Sequence, residues 1–408
     1  MTNPITLPTA ANTLIGLAPL TAYAFTGADL GSIGQQLMDR IQQDPENAAI
    51  KMDLATLFFL AHEHDAALEL QAAAIAQQQR YHLASSPPSP SLRILALVGA
   101  GDLMDNTPLE FLLEGSTIAM DLHFMQLGAP LPQDLASYDL ALVAVGESDR
   151  NQPLLRQLDE QLRDCPIPLL NKPSQIMQTT REDAAAALRQ TPGVDMPESV
   201  RVDRTQLQQL ATGALQVTEF LHPHDFPIII RPVHSHAGHG LARLDQATEI
   251  PPYLAEQDAT QFYISRFVDY SSEDGQFRKY RIALIDGEPL ICHLAISSHW
   301  IVHYLNADMV GNADKCAEEA ASMKSFSSGF GVRQQQACAH IRHRLNLDYL
   351  ILDCAELADG TLLIFEVDTS AIVHAMDPVD TFPYKRPQME KTFAAFQSML
   401  MRYGKVTA

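Results

Sequence analysis

At 408 residues, 46% hydrophobic and 19% charged, the chain is long enough to bury more than one core and predicts two or three domains. A formal charge of −21 argues against a nucleic-acid or anionic-membrane protein, since both partners demand a basic face; any phosphate must meet a local basic cluster. Five scattered cysteines without a C-x-x-C pair, no Lys/Arg-led signal peptide and no apolar run long enough for a bilayer predict free thiols and a cytoplasmic location.

Residues 1–84 read as an N-terminal helical arm. Pro4, Pro8 and Pro19 mark an irregular leader, and Asp44-Pro-Glu-Asn47 is a helix start before the apolar positions Met52, Leu54, Leu57 and Phe58. This stretch resembles one tetratricopeptide (TPR) unit. A lone unit cannot bury its own face, so the arm is expected to pack on the main body or on a partner, giving a docking or homo-oligomer surface. Ser85 to Ser91, with three prolines, is the predicted linker that lets the arm sit apart. Residues 92–175 then alternate strand and helix: Leu92 to Val98, a helical stretch through Leu109 and Phe111, Asp139 to Val145, Leu154 to Leu162, and Ile167 to Leu170. That order predicts a small, open, parallel α/β sheet. Gly99-Ala-Gly101 falls short of a dinucleotide fingerprint because Met104 stands where glycine is needed.

Residues 176–245 and 246–408 are expected as two further α+β subdomains. The strand ending at Arg231 delivers a forked guanidinium to a loop whose Gly238 and Gly240 allow backbone N–H groups to approach phosphate. His234, His236 and His239 in the same loop offer a zinc reading that lacks a fourth ligand. Phe262 to Asp269 alternates as a strand. Further on, Lys279 and Arg281 share one strand face toward an anion, and Ser297, Ser298, His299, Trp300, His303 and Tyr304 are candidates for lining a substrate pocket. In the arms around Asp359-Gly360, Asp353, Glu366 and Asp368 fall on one face of an apolar hairpin. A two-residue type I′ turn at Asp359-Gly360 would set Asp353 opposite Glu366. Opposed buried carboxylates ask for a cation, and hard oxygen ligands suit Mg²⁺ better than zinc; a surface hairpin with solvated acids is the plainer alternative.

Through these motifs, residues 92 to 385 resemble the ATP-grasp superfamily of carboxylate-amine ligases. The resemblance implies a pre-ATP-grasp α/β domain followed by two α+β subdomains, and ATP with Mg²⁺ (or Mn²⁺) as cofactors. It implies metal ligands at Asp353, Glu366 and Asp368, with Asp368 in place of the usual asparagine. Arg231 and Arg181 stand for the customary phosphate-binding lysines, and His236, Gly238 and Gly240 for the flexible loop over the nucleotide. Ser265, Phe267 and Asp269 lie in the implied adenine hinge, and Arg281, with Lys279, faces the transferred phosphate and acyl group; of the pocket candidates, His299 and Trp300, together with Ser370, are expected to touch substrate. The implied reaction is ADP-forming C–N ligation of small-molecule or peptide carboxylates and amines through an acyl phosphate. An ATP-binding scaffold without activity and a kinase acting on a hydroxyl stay open.

Overall fold

The structure is a computed structural model and describes residues 7–8, 10–233, 235 and 238–405. It comprises two compact units, and the chain passes between them at 177/178, 346/347, 351/352 and 367/368.

The first unit is built on a six-stranded sheet with the order β1-β2-β4-β3-β5-β6. Its strands are β1 (Thr13–Leu14), β2 (Arg80–Leu83), β3 (Leu92–Gly99), β4 (Ile118–Met125), β5 (Leu140–Val143) and β6 (Leu169–Leu170). β4, β3, β5 and β6 run parallel, while β2 joins β4 antiparallel. A parallel sheet is covered on both faces, and β3 follows suit: Ile94, Leu95, Ala96 and Leu97 are all fully buried. The helix Lys385–Lys405 supplies part of that cover through Phe393, Phe396, Met399 and Leu400. Asn171 staples the unit internally: its Oδ1 accepts the N–H groups of Asp348 and Tyr349 at 2.9 and 3.0 Å, and its Nδ2 donates to the Tyr349 carbonyl at 2.8 Å.

The expected arm is not set apart. The helices Leu30–Gln43, Ala48–Leu60 and His64–Gln77 form, with Leu20, Ile33, Leu37, Leu54 and Leu57, a small core of their own. The strands before and after them, β1 and β2, are nevertheless members of the main sheet. Two further ties hold these helices: Gln71 exchanges two hydrogen bonds with the backbone of Gly101, and Asp53 accepts from Ile15 and Gly16. The Ser/Pro stretch 85–91 is thus a connection within one unit, and a boundary there is corrected by the pairing of β2 with β4. The expected last subdomain, 246–408, likewise divides, because 347–351 and 368–408 return to the first unit.

The second unit holds two sheets. β8 (Ser199–Asp203), β9 (Ile228–Pro232), β10 (Ala242–Leu244) and β11 (Gln261–Arg266) form an antiparallel sheet ordered β10-β9-β11-β8. The alternation of side chains divides it cleanly. Val202, Ile228, Ile230, Leu244, Phe262 and Ile264 point into one core with the helix Arg204–Thr212. The opposite face carries Ser199, Arg201, Arg231, Arg243, Tyr263 and Ser265. The other sheet is ordered β13-β12-β14-β15-β7, from β7 (Val194–Asp195), β12 (Phe277–Ile285), β13 (Glu288–Ser297), β14 (Tyr349–Glu356) and β15 (Leu362–Asp368), with 349–351 and Asp368 assigned to the first unit.

The β14–β15 reversal departs from the expected two-residue turn. Leu357 N–H donates to the Thr361 carbonyl at 2.9 Å and Gly360 N–H to Leu357 at 2.9 Å, so three residues, Ala358, Asp359 and Gly360, form the loop. Gly360 takes φ 84°, the left-handed position that a three-residue hairpin needs, and Asp359 Oδ1 accepts from Thr361 N–H. The register next to the loop is therefore one residue off the sequence-based expectation.

Candidate functional site

Lys279 and Arg281 are two apart on β12, so the strand's alternation sends both to one side, while Tyr280 packs on Phe330 at 4.5 Å. A bulge between Arg281 and Ile282 re-aims the strand just there. Both cations close on Asp353 of β14: Arg281 Nε and Nη2 lie 2.8 and 3.0 Å from its two oxygens, and Lys279 Nζ is 2.7 Å away. Asp353 is 4% exposed. Burial alone would raise its pKa, but Arg281 and Lys279 outweigh it and hold the carboxyl far below the ordinary range.

Glu366 on β15 meets a second guanidinium. Arg181, the first residue of the helix Arg181–Leu188, donates to Glu366 Oε1 at 2.5 Å and to the Phe365 carbonyl at 3.2 Å. Here too burial works upward and is outweighed, by Arg181 first and then by Arg231 and Lys279, against the repulsion of Asp353; Glu366 is held ionised. Arg231 extends from the polar face of β9 into this neighbourhood, where its guanidinium donates to Ser235 Oγ at 3.1 Å and to the Ser235 carbonyl. Burial, then Arg181, pushes its pKa down to about 10. Four cations thus converge with two carboxylates in a chain that is acidic overall. His303 borders the group, its pKa lowered by burial and then by Lys279 and Arg281.

The sequence does not single out the companions of Arg231. Tyr263 stands directly between Arg231 and Arg201 across three strands. Arg201 lies over the Tyr263 ring at 5.2 Å and donates to its hydroxyl at 2.7 Å, and that hydroxyl donates to Glu182 at 3.2 Å. The polar alternation of Ser199, Arg201 and Asp203 is a readable signal for this face; Arg243 has none, because only the register with β9 puts it there.

Beyond the end of β11, Phe267 is held between Arg243, 4.2 Å from its ring centre, and Trp300, edge-on at 5.7 Å. Ser265 lies on the polar sheet face, and Asp269 is exposed, accepting Ser271 N–H at 2.9 Å, a bond that lowers its pKa. Trp300's carbonyl accepts from Tyr270 at 2.6 Å, and His299 N–H donates to Ser297 Oγ. Tyr304, a sequence candidate for pocket lining, donates its hydroxyl to fully buried Glu319 at 2.9 Å. Gly238 and Gly240 take φ 77° and 66°, and Gly240 sits so close to Pro232 that a Cβ would lie 2.7 Å away. His234 and His236 lie outside the described residues, and with them the three-histidine zinc reading and the assignment of His236 to the nucleotide loop.

The expected metal set of Asp353, Glu366 and Asp368 draws on both units. Among the described residues no three acids, cysteines or histidines are grouped to hold an ion. Asp368 and Ser370 belong to the first unit, where Asp368 Oδ1 accepts Ser370 N–H at 2.6 Å. Within the second unit, Asp353 is already neutralised by two side chains. Mg²⁺ nevertheless fits Asp353 and Glu366, because it commonly takes one or two carboxylates together with substrate phosphates.

No family model matches the chain, and no curated protein does so. Among solved structures it is similar to VanG D-Ala:D-Ser ligase from Enterococcus faecalis, at 14% identity and TM-score 0.45 over 77% of this chain and 99% of that one. It is also similar to D-alanine–D-alanine ligase from Bacillus anthracis complexed with ATP (13%, 0.41, 78% and 98%). A third is the ATP-grasp ligase PsnB, complexed with a precursor variant, Mg and ADP (13%, 0.40, 75% and 99%). Likenesses of this size assign no residue; the functional reading rests on the side chains described above. No helix among the described residues is long and apolar enough to cross a membrane.

Proposed function

We propose that the chain is an ATP- and Mg²⁺-dependent carboxylate-amine ligase of ATP-grasp type, forming ADP through an acyl phosphate. The observation that carries this reading is the convergence of Arg181, Arg231, Lys279 and Arg281 on Asp353 and Glu366. Four cations against two carboxylates leave an excess of positive charge suited to a polyphosphate, and phosphoryl transfer needs charge neutralisation and positioning above all. Arg231 and Arg181 would bind the phosphates of ATP. Asp353 and Glu366 would hold the metal, which supplies Lewis-acid stabilisation of the phosphate charge. Phe267, backed by Arg243 and Trp300, offers an aromatic surface for a base. Arg281 and Lys279, once turned from Asp353, would orient the substrate carboxylate for attack on the γ-phosphorus; the amine then displaces phosphate from the acyl carbon.

Occupation of Asp353 by two protein cations favours a second reading, a nucleotide-binding module without acyl transfer. ADP release with Mg²⁺ across a panel of carboxylates, with and without amines, and mass analysis of the products separates them. Amine-dependent ADP and a condensed product support the ligase. ATP binding with no ADP under any pairing supports the module, and ADP with a phosphorylated alcohol would point to a kinase.

A further inference from the structure

The first unit contains a cavity of about 100 Å³ that shares no lining residue with the cation cluster of the second. Met52, Phe59, Met120 and Phe124 contribute apolar wall, and Asp53, Asp102 and Glu110 contribute three acids. Among the described residues no lysine, arginine or histidine lines it. Asp102 is paired with His64 at 2.9 Å, whereas among the described residues Asp53 and Glu110 face only backbone donors. Asp53 takes the N–H groups of Ile15 and Gly16 at 2.9 and 3.2 Å, and Glu110 those of Leu17 and Ala18, both at 3.0 Å. Four successive N–H groups at the start of the helix Leu17–Phe25 are thereby satisfied, but two neighbouring carboxyl groups keep no side-chain cation among the described residues. Gly16 fits between them only because it lacks a side chain: a Cβ would lie 2.5 Å from Glu110 Oε2.

A second observation is independent of the acids. Thr107 lines the same cavity at 4% exposure, and its Oγ1 has no hydrogen-bond partner among the described residues. A buried hydroxyl left unpaired costs free energy that a ligand donor would recover. An acid-lined, mostly apolar cavity with a vacant acceptor selects a ligand with a positive, hydrogen-bearing head and a short apolar body.

We propose that this cavity binds a small organic ammonium ion, a primary amine on a short aliphatic chain, with its –NH₃⁺ directed at Asp53, Glu110 and Thr107 Oγ1. Burial, opposed by the two N–H bonds and reinforced by Glu110, raises the Asp53 pKa to about 7, and burial raises Glu110 in the same sense. The other ionisable groups near them are Asp102 and its partner His64, and Tyr81, which stays neutral. Ammonium binding therefore draws a proton off the pair, and affinity rises with pH through about 7.

The test titrates n-butylammonium and the neutral 1-butanol into the full chain by calorimetry at several pH values. The ammonium ion should bind at least about tenfold more tightly than the alcohol, with proton release. Thr107→Val, which breaks no hydrogen bond of the free protein, should weaken ammonium binding roughly fivefold (about 1 kcal/mol) while leaving the melting temperature equal or higher. Glu110→Gln should weaken it further. Equal binding of amine and alcohol, or ammonium binding untouched by Thr107→Val in a folded protein, overturns the proposal.

Discussion

A guanidinium that burial and a like charge have pushed to about 10 gains most from an anion bringing both charge and acceptor oxygens, and Arg231 is such a group. Arg231→Ala is expected to weaken ATP binding by about 1.5–3 kcal/mol, roughly ten- to a hundredfold, with Arg231→Lys recovering part of it. Equal calorimetric affinities for wild type and alanine variant would remove Arg231 from the site. Asp353 gives a prediction of opposite sign. Because Arg281 grips both its oxygens, the side chain competes with any metal there. Arg281→Ala should tighten Mg²⁺ binding several-fold in the absence of nucleotide, measured by calorimetry, while abolishing turnover. An unchanged metal affinity would exclude Asp353 as a ligand.

At the scale of elements, the start of the helix Leu17–Phe25 is fastened by acids that resist ionisation. The Asp53 pKa is about 7 in the fold, against about 3.9 unfolded, so the folded state holds the proton more tightly. Its stabilising share is whole below the unfolded value and is lost as pH climbs to about 7; Glu110 has the same sign. Thermal unfolding followed from pH 4 to 8 should show stability dropping by a few kcal/mol at most, and Asp53→Asn should flatten that slope. A rising stability over this window would contradict the raised pKa. Element identity was largely legible where pattern is local. The apolar run of β3 is visible because parallel strands bury both faces, and Lys279 and Arg281 are visible through a period of two. The loop length of the β14–β15 hairpin was not, because Asp-Gly also suits a turn in which Gly alone takes positive φ. Nor was the row Arg201–Tyr263–Arg231, since cross-strand register is a tertiary fact.

For the whole molecule, the proline-rich stretch 85–91 makes the N-terminal helices read as an arm on a linker, packing on the main body or on a partner. What that reading missed is β2, four residues whose partner is β4, almost forty positions further on. Removing residues 1–84 would leave β4 with an open edge and unroof Met120 and Phe124. The truncated chain is therefore expected to aggregate or melt without cooperativity, as circular dichroism would report. A cooperative transition close to that of the full chain would show that the helices are dispensable.

The four crossings of the chain between units bear on how it answers tension. Residues 10 and 405 both belong to the first unit, and the second is spliced into the path between them. A pull applied at those two points is borne by the first unit alone, and the cation cluster of the second stays slack until its host has unravelled. Stretched in an optical trap, the chain should therefore lengthen in a fixed order, host before insert, whichever unit is the weaker in solution.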